Sequence, residues 1–167
     1  MGSTSSLATV LVVERRFDSR RGGARRGDER IVAVLRATPI FAALPVEAVR
    51  DLASLARARP VRAGAAVVED GGGDDGVFVI SMGRFAVVAG GEVCDELGPG
   101  DHFGEVGWLY GTERTASVEA IVDGEVLRLT GAQLDAFVRR FPTARAAITA
   151  EASRRYGDTA RRTDDTT

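Results

Sequence analysis

The chain has 167 residues, is 44% hydrophobic, and sets 22 basic against 24 acidic residues for a net charge of −2. That length closes one core, and the near-neutral balance provides no overall positive field to gather nucleic acid. The single cysteine, Cys94, excludes an intramolecular disulfide, and no apolar run approaches the roughly 18 residues that a membrane-spanning helix needs.

Residues 1–27 read as a disordered linker or tail. A small polar start leads into the apolar patch Leu7–Val13, which is short and has no basic segment before it, so it makes a poor signal peptide. The Arg/Gly run Arg15–Gly27 follows; Glu14, Asp18 and Asp28 interleave with its arginines and argue against an anionic-surface or RNA site there. Asp28 is placed to cap a helix ending at Ala37, with Ile31, Val32, Val34 and Leu35 on its apolar face. Thr38-Pro39 stops that helix. Ile40 to Pro45 makes a hydrophobic turn, and a second helix covers about 46–58 on Val46, Val49, Leu52, Ala53 and Leu55.

From Pro60 to Thr130 the pattern changes to short β-prone runs punctuated by glycine. Strands are expected near 59–62, 66–69, 77–81, 84–89, 92–97, 114–122 and 125–130, with a short one near 101–104. Gly90-Gly91 signals a tight hairpin, and Gly98-Pro99-Gly100-Asp101 a turn. Such spacing predicts an antiparallel sandwich or jelly roll. A helix over Ala132–Arg140 follows, with Leu134, Phe137 and Val138 on one face, and Phe141-Pro142 breaks it. A last helix is expected over 143–156, ended by Gly157, so that 28–157 is the folded unit and 158–167 a disordered polar tail.

One stretch, Phe103 to Val118, carries chemistry. Gly104 lets a backbone approach a ligand closely, because no side chain stands in the way. Residues 105–109 can form a helical turn whose first amides have no partner within the helix, an arrangement that suits an anion. Arg114 adds a planar fork of donors that fits two phosphate oxygens. Glu105 accepts hydrogen bonds only, which fits a hydroxyl such as a ribose 2′-OH. One phosphate, one free ribose hydroxyl and one short loop describe a cyclic nucleotide.

This stretch resembles the phosphate-binding cassette of the cyclic-nucleotide-binding domain family, which includes the regulatory subunit of cAMP-dependent protein kinase, the catabolite activator protein and cyclic-nucleotide-gated channels. Phe103, Gly104, Glu105, Arg114, Thr115, Ala116, Ser117 and Val118 fit the family pattern; Gly107 stands for its alanine, Trp108 for a leucine and Glu113 for a proline. Leu97 to Glu105 fits L-G-P-G-D-x-F-G-E at every specified position. Gly71 to Gly83 fits G-D-x-G-D-x-x-Y-V-I-x-x-G less well, departing at Gly72 and Asp74 and with Phe78 for tyrosine; in the family that loop shapes the fold and bears little on ligand contacts. Leu35 to Pro45, between two helices, is similar to the family's N-terminal helical bundle.

The resemblance implies an α+β fold: an antiparallel β-roll (a jelly roll, cupin-like) flanked by N-terminal and C-terminal helices. It implies ligand contacts from Phe103, Gly104, Glu105, Val106, Gly107, Arg114, Thr115 and Ala116, with Trp108 in an apolar seam between cassette and helices. The last helix would close over the base, with Tyr156 as the aromatic candidate for the cap and Ile148 as the aliphatic one. The expected ligand is cAMP ahead of cGMP; Thr115 could reach a guanine 2-amino group without deciding between them.

No cofactor or metal is expected. His102, the single histidine, reads as a strand-edge residue, and Cys94 as a core thiol with no histidine near it in sequence. No acid, base or nucleophile constellation suggests turnover, so the expected function is a non-enzymatic cytoplasmic sensor that signals through its flanking helices. It would be part of, or partner to, a larger transporter, channel or enzyme, with membrane contact only through such a parent and no direct nucleic-acid binding. The alternatives are an interaction module that kept the fold and lost the ligand, and a transcription factor, which would need a helix-turn-helix beyond the last helix. Lysine and asparagine, whose codons are AT-rich, are both absent, which points to a GC-rich bacterial genome.

Overall fold

The structure, a computed structural model, describes residues 23–73 and 75–164, with side chains over 28–73 and 75–154. Three helices come first: α1 (Gly23–Ala37), α2 (Pro39–Ala42) and α3 (Val46–Leu55). The strands β1 (Arg57–Val61), β2 (Ala66–Val68), β3 (Val77–Met82), β4 (Phe85–Ala89), β5 (Glu92–Leu97) and β6 (His102–Phe103) follow. A short helix α4 (Glu105–Tyr110) interrupts them before β7 (Ser117–Ala120) and β8 (Gly124–Leu129), and α5 (Gly131–Arg140) and α6 (Pro142–Asp164) close the chain. The expected α+β architecture is therefore the one found.

Two four-stranded antiparallel sheets, ordered β1-β8-β3-β6 and β2-β7-β4-β5, face each other. One core lies between them, built on Phe78, Ile80 and Val126 from the first sheet and Val68, Phe85, Leu97 and Val118 from the second. Phe78 and Phe103 stack there with ring centroids 5.0 Å apart. A second core joins the helices to the other side of the first sheet: Val77, Val79, Leu127 and Leu129 meet Leu35, Phe41, Leu52, Leu134, Phe137 and Ile148. Alternate residues of a strand project to opposite faces, so β3 sends Phe78 and Ile80 one way and Val77 and Val79 the other.

Turn chemistry sets the connections. Gly90 and Gly91 take φ of 59° and 81°, the left-handed pair that a tight hairpin requires. The 98–101 turn is closed by the Asp101 amide donating to Gly98 O at 3.0 Å and the Gly98 amide donating to Asp101 Oδ2 at 2.8 Å. A capping box starts α5: Thr130 Oγ1 accepts from the Gln133 amide, and Gln133 Oε1 from the Thr130 amide. Gln133 Nε2 also donates to Leu55 O, which ties α5 to the end of α3.

The helix ends differ from expectation. Asp28 lies inside α1, not at its N-cap, because Ala24, Arg25 and Arg26 are good helix formers and extend it back to Gly23. The segment 39–42 closes as a short helix with Pro39 at its start, where a missing N–H costs nothing. The second helix stops at Leu55, and β1 begins at Arg57. Gly157 does not end α6, which runs to Asp164: one helical glycine costs about 1 kcal/mol, and Ala160, Arg161 and Arg162 beyond it favour helix. The expected 114–122 strand shortens to Ser117–Ala120, because the residues before it form the wall of a cavity. Cys94 is exposed, not a core thiol. It is the extra residue between the pairs Val88↔Val93 and Val87↔Asp95, a bulge on an edge strand whose Sγ sits 3.4 Å from Val87 O.

Candidate functional site

A cavity of about 320 Å³ opens between α4, the loop leading to β7 and the inner face of the second sheet. The eight residues expected to touch a ligand all line it, from Phe103 through Gly107 and from Arg114 through Ala116. Gly104, with φ of 94°, caps α4, and Gly111, with φ of 64°, ends it, so the helix is a compact six-residue segment between two left-handed glycines.

Arg114 is buried at 9% exposure, and its Nη2 donates to Gly76 O at 2.7 Å. Its guanidinium occupies the space that a side chain on Gly104 would need: a Cβ there would lie 2.4 Å from Gly76 O and 2.7 Å from Arg114 Nη1. The 71–76 loop also holds the backbone of Arg114, through the Gly71 amide donating to Arg114 O at 2.8 Å. That loop departs from the family pattern, and the expectation is that it shapes the fold and bears little on ligand contacts. Here it supports the arginine from two directions, and sequence reasoning missed Gly76 because its contribution is a carbonyl, not a side chain.

Glu105 is buried at 5% exposure at the first turn of α4. His102 lies beside it, with Nε2 3.4 Å from Glu105 Oε1. His102 does belong to an edge strand, yet it is 2% exposed and lines the cavity. Glu113 and Thr115, both exposed, flank Arg114 on the same rim.

The floor was not legible from sequence. Val68 pairs with Val118, Val118 with Val87, and Val87 with Asp95, so one register row crosses all four strands of the second sheet, and all four residues line the cavity. They come from four separate segments, and only strand register brings them abreast.

Of the two expected base caps, the structure places the side chain of one. Ile148 is buried among the helices of the second core and does not line the cavity. Tyr156 falls on α6, with its side chain outside the described residues.

The family model for the cyclic nucleotide-binding domain matches residues 58–141, half of the chain, from the start of β1 to the end of α5. The chain belongs to that family. Among relatives of the domain, an uncharacterized NTE family protein of Mycobacterium tuberculosis is 36% identical over 112 residues, covering 66% of this chain and 19% of that protein. A cyclic nucleotide-gated potassium channel of Mesorhizobium japonicum is 35% identical over 109 residues, covering 65% of this chain and 30% of the channel. The crystal structure of the Thermus thermophilus catabolite activator protein superposes with a TM-score of 0.69 at 28% identity, over 76% of this chain and 62% of that one. The chain thus spans about a fifth of the mycobacterial relative and under a third of the channel.

The cassette of this domain is joined to its helices by specific contacts. Trp108 Nε1 donates to Asp135 Oδ1 of α5 at 3.0 Å. Trp108 and Leu109 pack against the helical core, in the company of Phe137, Val138 and Ile148. Among the described residues, no helix is long and apolar enough to cross a membrane.

Proposed function

We propose that this domain is a non-enzymatic sensor of a 3′,5′-cyclic nucleotide, with cAMP as its ligand and no resident cofactor or metal. The observation that carries the reading is the buried Arg114 guanidinium, seated against Gly104 at the mouth of a cavity that Glu105 shares. A cyclic phosphate is a compact anion that suits such a fork, and Glu105 offers only acceptors, as a ribose 2′-hydroxyl needs. Titration calorimetry with cAMP and cGMP side by side tests it. A second reading, an interaction module without a ligand, is favoured by one observation: the exposed carboxylate of Glu113 on the same rim as Arg114. Absence of heat with both nucleotides would select it.

Glu105 reads the ribose in this proposal. A hydrogen bond to a charged group contributes about 1.5–3 kcal/mol, so removing the 2′-hydroxyl lowers wild-type affinity by at least about tenfold. Glu105→Gln is expected to discriminate far less between cAMP and 2′-deoxy cAMP. Equal discrimination by the two proteins rules the role out.

The helices carry the signal onward. A ligand shifts a lid only by its differential affinity for the closed state. A phosphate drawn toward Arg114 loads α4, and α4 is bonded to α5 through Trp108 and packed on the core that holds α6. Saturating cAMP is therefore expected to slow amide exchange over 143–156 and to alter the fluorescence of Trp108, the single tryptophan. Binding that leaves both signals unchanged would move the output to α1–α3.

The short share of each relative that the chain spans supports a regulatory unit within, or beside, a longer cytoplasmic or membrane-attached protein. The channel and NTE family relatives make a transporter, channel or enzyme the natural class of effector.

A further inference from the structure

We propose that Asp95 reads the base of the bound nucleotide by accepting a hydrogen bond from an amino group on the purine edge. The inference rests on the cyclic-nucleotide reading and extends it from phosphate and ribose to the base. Residues directly opposite one another in an antiparallel sheet project from the same face. The row Val68–Val118–Val87–Asp95 is such a set across all four strands, and each member lines the cavity. Three of the four are hydrocarbon, which suits the flat face of a base. The fourth is a carboxylate at the far end.

The position fits the size of the ligand. Arg114 lies just before β7, the strand of Val118, and β5 lies two strands further on. At about 4.8 Å per strand, Asp95 stands roughly 10 Å from the strand that follows the phosphate anchor, the scale of a nucleotide measured from its phosphate to the outer edge of its base. With phosphate and ribose on the cassette side, the base extends over the valines toward Asp95.

The chemistry narrows what that edge presents. Asp95 Oδ1 accepts the Glu96 amide at 2.8 Å, and a carboxylate has acceptor capacity beyond that one bond. An ionised carboxylate only accepts. Unprotonated purine ring nitrogens are acceptors too and repel it, whereas an amino group donates. Adenine has one at C6 and guanine one at C2. Hypoxanthine lacks both but carries an N1–H that also donates to a carboxylate, whereas unsubstituted purine offers no donor on that edge, so purine riboside 3′,5′-cyclic monophosphate is the discriminating probe.

The full-length chain and its Asp95→Ala variant are titrated with cAMP, cGMP and purine riboside 3′,5′-cyclic monophosphate. Wild type is expected to bind an amino-bearing nucleotide about tenfold tighter than purine riboside cyclic monophosphate, the low end for a bond to a charged group because Asp95 is solvent-exposed. Asp95→Ala is expected to bring that ratio close to one. Its discrimination against the 2′-deoxy form of the same nucleotide stays as in wild type, which shows an intact cassette. The nucleotide that shows the gap, cAMP or cGMP, identifies which amino group is read. The proposal is overturned if wild type binds purine riboside cyclic monophosphate as tightly as both others, or if Asp95→Ala keeps the gap. Binding without a gap removes this inference and leaves the sensor reading standing; no binding of any of the three removes both.

Discussion

Arg114→Ala is expected to weaken cAMP binding by about 30-fold or more. The guanidinium is buried, its Nη2 is held by Gly76 O, and the 71–76 loop fixes its backbone. A phosphate docked in the cavity takes charge-assisted hydrogen bonds from this fork. Truncation leaves that phosphate charge desolvated and uncompensated, a loss of about 2–5 kcal/mol for comparable pairs, and 2 kcal/mol is about 30-fold. Arg114→Lys keeps the charge but loses the fork, so its affinity falls between the two. Calorimetry decides: an alanine variant within about threefold of wild type means that the phosphate is held elsewhere.

The second large effect is structural and functional together. Gly104→Ala places a methyl group 2.4 Å from a backbone oxygen, Gly76 O, and 2.7 Å from Arg114 Nη1, at a φ of 94° that L-residues avoid. The left-handed backbone alone costs about 1–2 kcal/mol, and the carbonyl cannot swing aside as a side chain could. A total of about 2–4 kcal/mol is expected, which lowers the melting temperature by about 5–15 °C. Cyclic nucleotide binding is lost with it, because the displaced carbonyl is the one that seats Arg114. Gly107→Ala is the control. Its Cβ would meet Thr112 O at 3.3 Å and Arg114 Nη1 at 3.4 Å, a tight fit that small shifts relieve. Binding retained by Gly104→Ala, or lost equally by both variants, would contradict the special role of position 104.

The cassette was legible because its parts are contiguous. Glycine, acid, helical turn and arginine fall within a dozen residues, and each has a residue-level reason to be there. The hairpin at Gly90-Gly91, the 98–101 turn and the break at Pro142 were legible for the same cause: glycine and proline act on their own backbone. Helix ends were not, because Asp28 and Gly157 express weak local preferences that neighbouring helix formers outweigh. Cys94 misled because a thiol's average burial says nothing about a bulge on an edge strand. Asp95 went unnoticed among charged residues of an exposed strand; its place in the cavity follows from register, which sequence spacing does not disclose.

β3 is a party wall. Val77 and Val79 belong to the helical compartment, Phe78 and Ile80 to the compartment between the sheets, and all four are at most 1% exposed. Close-packed interiors transmit changes of even one methylene, so a substitution that shifts this strand alters the shape of both rooms at once. A substitution on β3 that repacks the helices therefore also disturbs the chamber between the sheets. Among the described residues, α5 and α6 border only the helical compartment, so a substitution in their core faces reaches the space between the sheets only through what lies between.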